Sequence, residues 1–196
     1  MNFQEFIPQA LRTESTLENP KTVPVMLEAG LNLASNISEV LDAFKKNTYY
    51  GKEFEYQKID TILDNIIMNA ASTRLMMRQF SQMAEEPKNQ MIAEVSTFMN
   101  PRVLHALLGI FTESGELLNN VGKKDDEIDL VNIKEELGDI EYYNALLCDA
   151  LNIDIEHCYT AVIAKLKSRY PEKFTTGAAI DRDVDAERKI LEDASL

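Results

Sequence analysis

The amino-acid sequence predicts an all-α protein, on three observations. Glycine and proline are scarce, seven and six in 196 residues, and tryptophan is absent. Leu, Ile, Met, Ala, Glu and Lys are abundant, and unbranched side chains lose little rotamer freedom in a helix. Apolar positions recur at helical spacing through most of the chain, with short polar connections that favour antiparallel packing in a bundle. With 45% apolar residues the chain can bury a core without disulfides or a structural metal.

The elements follow in order. Asn2 is a candidate N-cap for an amphipathic helix from Phe3 to Arg12, with Phe3, Phe6, Ile7 and Leu11 on one side. Thr13 to Pro24 reads as a loop. Helical patterns then run from Val25 to Lys46 and from Phe54 to Met83, separated by NTYYGKE. AEEPKNQ, around Pro87, reads as a break, with a weaker helical stretch before Asn100. Asn100 as N-cap, Pro101 at the first helical position and Gly122 as the stop delimit the next helix. Its expected apolar face is Val103, Leu104, Leu107, Leu108, Phe111, Leu118 and Val121. KKDDEID leads to a helix from Leu130 to Leu151, with Leu130, Ile133, Leu137, Ile140, Leu147 and Leu151 inward. A further helix spans Asp154 to Tyr170, stopped by Pro171, and after the FTTGAAIDRD turn a charged one spans Val184 to Asp193.

The net charge is -13, from 33 acidic and 20 basic side chains, which disfavours nucleic acid or an anionic membrane as partner. Cys148 and Cys158 form no C-x-x-C pair and stand with no histidine pattern for zinc, so both are expected as thiols in a reducing compartment. The opening MNFQEFIPQALRTES lacks a basic stretch followed by an apolar one, so no secretory leader is expected. No run approaches the roughly 18 to 20 apolar residues of a membrane-spanning helix.

Two acidic pairs carry the chemistry. In Glu113-Ser-Gly-Glu116 the carboxylates are three apart, so a helix projects them from one face toward a shared cation. Glu136-Leu-Gly-Asp139 repeats the spacing on the following helix. Antiparallel packing would bring the four acids together, and hard oxygen ligands suit Mg²⁺ or Mn²⁺. A chain this acidic yields about five such pairs by chance, and a solvated acidic face is the competing reading. What favours a site is that both pairs border apolar stripes on adjacent helices. Each also encloses a glycine, Gly115 or Gly138, which costs about 1 kcal/mol in a helix relative to Ala and suggests close approach of a backbone or ligand. A fainter echo lies upstream. SNISEVLDAFKK and TILDN align with TESGELLNNVGKK and EELGDI, so Glu39 matches Glu116 and Asp64 matches Asp139, while Asn36 and Thr61 replace Glu113 and Glu136. This is either a degenerate duplication or the similarity of any two amphipathic helices.

HALLGIFTESGELLNNVGKK, IKEELGDIEYY and IAKLKSRYPEKF together resemble the MazG-like all-α nucleoside triphosphate pyrophosphohydrolases, whose signature is E-x-x-E followed one helix later by E-x-x-D. The likeness covers Leu104 to Phe174, FQEFIPQALRTES resembles the first helix of the same proteins, and IDRDVDAERKILE resembles phage-type members. Residues 25–99 form a long helical insertion after the first helix, so the expected organisation is 1–24 first helix and loop, 25–99 insertion, and 100–196 catalytic antiparallel bundle with a C-terminal helix. The insertion is expected to pack on that bundle, replacing contacts that short members draw from a second subunit.

The resemblance implies hydrolysis of a nucleoside triphosphate to the monophosphate and pyrophosphate with Mg²⁺, with Mn²⁺ as substitute, by a cytoplasmic homodimer. Glu113, Glu116, Glu136 and Asp139 would hold the metal and Glu116 would act on the attacking water. Lys123, Lys124, Lys165 and Arg169 are candidates for the phosphates, with a solvated connection and a helix C-terminus as the bland alternatives. Tyr143 could stack on a base or sit at the edge of the core. His105 is expected as a satisfied structural histidine. Two other functions stay open at this point: a non-catalytic helical interaction module, and a hydrolase of a signalling nucleotide such as guanosine tetraphosphate.

Overall fold

The computed structural model describes residues 1–17, 21–93, 100–121 and 128–193. Within them the chain is all-α: α1 Phe3–Leu11, α2 Pro24–Tyr50, α3 Tyr56–Gln82, α4 Glu85–Ala93, α5 Pro101–Val121, α6 Leu130–Leu151, α7 Ile155–Arg169, α8 Thr176–Ile180 and α9 Val184–Asp193. None of these helices is long and apolar enough to cross a membrane. The chain divides into two compact units. One comprises Met1–Pro24 and Glu86–Asp154, and the other Val25–Glu85 and Ile155–Leu196.

The first unit is built on α5, α6 and α1. Asn2 caps α1 through a reciprocal capping box with Glu5. Asn100 Oδ1 accepts the Arg102 amide at 3.0 Å at the start of α5, and Asp129 caps α6 through the amides of Val131 and Asn132. The helix α6 ends at Asn152, whose left-handed φ of 54° lets the Ile153 amide return to the Cys148 carbonyl at 2.8 Å. Ala10, Ala106, Ala145 and Leu146 form the core, with Phe3, Phe6, Ile7, Leu11, Tyr142, Tyr143 and Leu147 packed around it. Arg102 ties the three helices' ends together, holding Glu14 with two hydrogen bonds of 2.7 and 2.8 Å and Asp149 with one of 2.7 Å.

The expected inward faces are rotated in the structure. Leu107, Phe111 and Leu118 of α5 and Leu130, Leu137 and Leu151 of α6 are exposed. Leu104 is buried as expected, but it is joined in the interior by Ala106 and Gly109 on α5 and by Glu136, Ala145, Leu146 and Cys148 on α6. Small residues let the two backbones approach, so the line that carries the acids faces the neighbouring helix and the large aliphatic line is turned outward.

In the second unit α2 and α3 run antiparallel, with Val40 and Ile62 buried. The helix α2 continues past Lys46 to Tyr50 and stops at Gly51, whose φ of 68° lets the Lys52 amide return to the Lys46 carbonyl at 3.2 Å. Pro87 does not break the chain as expected. It occupies the first turn of α4, where a missing N–H has no carbonyl to satisfy, and the interruption falls at Met83 and Ala84. The FTTGAAIDRD turn holds the short helix α8, capped by the Thr175 hydroxyl. The helices α7 and α9 pack together, joined by Glu187, which accepts hydrogen bonds from Arg169 (2.6 and 2.5 Å) and Arg182 (2.5 Å). These two guanidiniums draw its pKa down to about 2.

Candidate metal centre

The carboxylates sit where α5 and α6 lie side by side. Arg102 reaches Asp149, and Asn132 Nδ2 donates to Asn120 Oδ1 at 3.4 Å, so the helices are antiparallel with the start of one beside the end of the other. That register sets Glu113 and Glu116 level with Glu136 and Asp139. Carboxylate oxygens of Glu113, Glu116 and Glu136 all lie within 4.8 Å of one another. Asp139, expected as the fourth ligand, is exposed one turn after Glu136 and stands outside that group.

Glu136 is only 6% exposed, Glu113 is half-buried and Glu116 exposed, and among the described residues none of the three forms an ion pair. Burial, then the negative charge of Glu116, then a side-chain hydrogen bond to Glu113 and that residue's charge, raise the Glu136 pKa. Three converging acids that repel one another are poorly explained as a solvated face, because a solvated face keeps its charges apart and wet. They suit a hard divalent cation, which satisfies several carboxylate oxygens at once.

Neighbouring groups add detail that the acidic spacing did not reveal. The Thr112 hydroxyl donates to the Gly109 carbonyl at 3.0 Å and stands 3.3 Å from Glu113 Oε1, and the Ser114 hydroxyl donates to the Ile110 carbonyl at 2.6 Å. Gly115 and Gly138, expected to admit a close backbone, face no described protein atom within 4 Å of where a Cβ would stand. The close approach belongs to Gly109, one turn before Glu113, where a Cβ would overlap the ring of Tyr143. The sequence signal for it was there, a glycine in a strong helix at the same heptad face as the acid, but it lies outside the E-x-x-E motif. Burial raises the Tyr143 pKa, followed by the charges of Glu113, Tyr142 and Asp139. Its ring meets His105 and Tyr142 edge-on, at 5.4 and 5.1 Å between centroids. His105 is not the satisfied histidine expected, since its buried Nδ1 has no hydrogen-bond partner among the described residues.

Lys123 and Lys124 fall outside the described residues. Lys165 is half-buried on α7 in the second unit. Arg169, one turn on, spends its Nε and Nη2 on Glu187 and lies with its guanidinium carbon 5.6 Å from the Tyr170 ring centroid.

The family model of the MazG nucleotide pyrophosphohydrolase domain matches residues 103–174, the span of α5, α6 and α7. No curated protein and no solved structure matches the chain.

Proposed function

We propose that this chain, which carries a MazG nucleotide pyrophosphohydrolase domain over residues 103–174, hydrolyses nucleoside triphosphates to the monophosphate and pyrophosphate. The observation that carries the reading is the convergence of Glu113, Glu116 and Glu136, with Glu136 buried and no cation paired to any of them among the described residues. Mg²⁺, or Mn²⁺ in its place, would be held by these carboxylates with Asp139 at the margin, neutralising phosphate charge and making a water easier to deprotonate.

The chain's own groups then have separate tasks. Glu136, closed off from solvent between the helices, would be the anchoring carboxylate among those that would hold the cation. Glu113 faces it from α5, steadied by the Thr112 hydroxyl. Glu116 is the exposed member and therefore the one free to take a proton. It accepts the proton of the attacking water as the water oxygen bonds to the α-phosphorus and the bond from that phosphorus to the α–β bridging oxygen breaks, with the electron pair leaving on pyrophosphate. Lys123 and Lys124, just past the first carboxylate helix in the sequence, receive the anionic phosphates. Arg169 contributes only if it exchanges Glu187 for phosphate, so its first role is to hold α9. The working form is a cytoplasmic homodimer, which sedimentation would test.

The decisive assay incubates the full chain with Mg²⁺ and a panel of nucleoside triphosphates and guanosine tetraphosphate, with products separated by chromatography. Nucleoside monophosphate and pyrophosphate in equal amounts are expected from a triphosphate. Release of orthophosphate alone, or no turnover of any substrate, would sink the reading.

A further inference from the structure

Between the acids and the core of the first unit lies a contact that the proposed chemistry does not use. Gly109 is buried on α5, and a side chain there would overlap Cγ, Cδ1 and Cε1 of Tyr143 on α6. Those are ring carbons, not the end of a flexible chain, so they cannot move aside one at a time. The ring itself is braced by His105 and Tyr142, both edge-on. Because buried His105 Nδ1 has no partner among the described residues, the imidazole's described contact is its packing against this ring. Gly109 lies one turn from Glu113, and Tyr143 lies one turn from Asp139. The ring on bare backbone thus sits next to the metal-binding layer and in register with it.

We infer that Gly109 and the Tyr143 ring are positioning residues, whose contact sets the separation of α5 and α6 and so holds Glu113 opposite Glu136. Building on the metal reading above, the reason is geometric. A side chain at 109 must either push the helices apart or swing the ring toward the carboxylates, and Mg²⁺ and Mn²⁺ tolerate little displacement of their oxygen ligands. The phenol oxygen is not needed for this role, because only ring carbons meet the glycine.

The test is Mn²⁺ binding by calorimetry on the full chain, with far-UV circular dichroism and melting temperature as folding controls. Gly109→Ala should weaken Mn²⁺ binding at least about tenfold, in the range found for groups that orient metal ligands, and Tyr143→Ala should do likewise. Tyr143→Phe should stay within about twofold of wild type, since it keeps the ring. The double variant Gly109→Ala/Tyr143→Ala should bind no more weakly than Tyr143→Ala, because the new methyl then meets no ring. Additive losses, a Phe variant as weak as the Ala variant, or a folded Gly109→Ala with unchanged binding would each overturn the inference. Should Gly109→Ala fail to fold, unchanged binding in Tyr143→Ala, which only removes atoms, overturns it alone. A wild-type chain that binds no Mn²⁺ is a different result, which removes the metal centre itself.

Discussion

Two helix pairs in this molecule carry acids at similar spacing and treat them in opposite ways. On α5 and α6 the carboxylates of Glu113, Glu116 and Glu136 converge without a described cation, and the pKa of buried Glu136 is pushed up. On α2 and α3, where the sequence echoes the same motif, Asp42 is held by Lys45 at 2.6 Å and by Lys46, and these hydrogen bonds lower its pKa. Glu39, which aligns with Glu116, lines a groove of about 350 Å³ with Asp42, Lys46, Lys52 and Lys58, so acids and ammonium groups are interleaved there. Asp64, which aligns with Asp139, is exposed. The α2–α3 pair neutralises Asp42 from within its own helix, whereas no described cation pairs with the α5–α6 acids. The lesson is that acidic spacing alone does not mark a candidate metal site; convergence of the acids without a described counter-charge does.

Substitutions at the converging acids should give the largest effects. Glu136→Gln should reduce Mn²⁺ affinity and turnover by at least about a hundredfold, the upper range seen even for groups that only support ligands. It should also leave the metal-free melting temperature unchanged or raised, because it removes a repelled buried charge. Glu113→Gln and Asp139→Asn should each abolish turnover without unfolding the chain. Wild-type activity in either removes that residue from the site, and Asp139 is the more exposed to that outcome because it stands outside the 4.8 Å group.

The pH dependence should separate acids of opposite electrostatic setting. The folded pKa of Glu136 is raised, so its contribution to metal-free stability is fully present below its unfolded pKa and declines as pH rises through the folded value. Metal binding requires the ionised form, so Mg²⁺ should raise the melting temperature more at pH 8 than at pH 5. Equal shifts at both would show that the Glu136 proton does not compete with the metal. Glu187 behaves conversely: its two guanidinium partners lower its pKa to about 2, so the stabilisation it gives is present above the unfolded value and lost as pH falls toward 2.

Smaller changes follow at paired groups. Glu187→Gln should lower stability by about 2 kcal/mol, the scale of hydrogen bonds to charged partners, with Mn²⁺ affinity unaltered in a calorimetric titration. Asp42→Asn should cost less than about 1 kcal/mol, as expected of an exposed ion pair, and should leave metal binding as it is. The sharpest use of the contrast is Lys45→Ala/Lys46→Ala. A second Mn²⁺ site in that variant would mean the lysines alone keep the α2–α3 acids from acting as ligands.

Much of the helix pattern was legible in the sequence, because caps and stops are local. Asn2 and Asn100 act through hydrogen bonds to amides within a few residues, so composition and spacing reveal them, whereas the left-handed Asn152 that ends α6 carried no such sequence reading. Faces were harder. Leu107, Phe111 and Leu118 make an apolar stripe that sequence periodicity assigns to the interior, yet the close contact of α5 with α6 runs through Ala106 and Gly109. Helical spacing says which residues share a side but not which side meets a neighbour. Arg169 illustrates the same limit, since its spacing from Lys165 suggests a phosphate fork and its carboxylate partner, Glu187, lies on another helix.

By itself the sequence determined the helical class, the helix starts written in short-range hydrogen bonds, and the pairing of acids three residues apart on two successive helices. Each follows from interactions within one or two turns. Only the tertiary structure decided that Glu136 is buried against Glu113 and Glu116, that Asp139 stands to the side, and that Tyr143 rests on Gly109. Those facts depend on the separation and register of α5 and α6, which small buried residues set across the interface, and no single helix's pattern contains them.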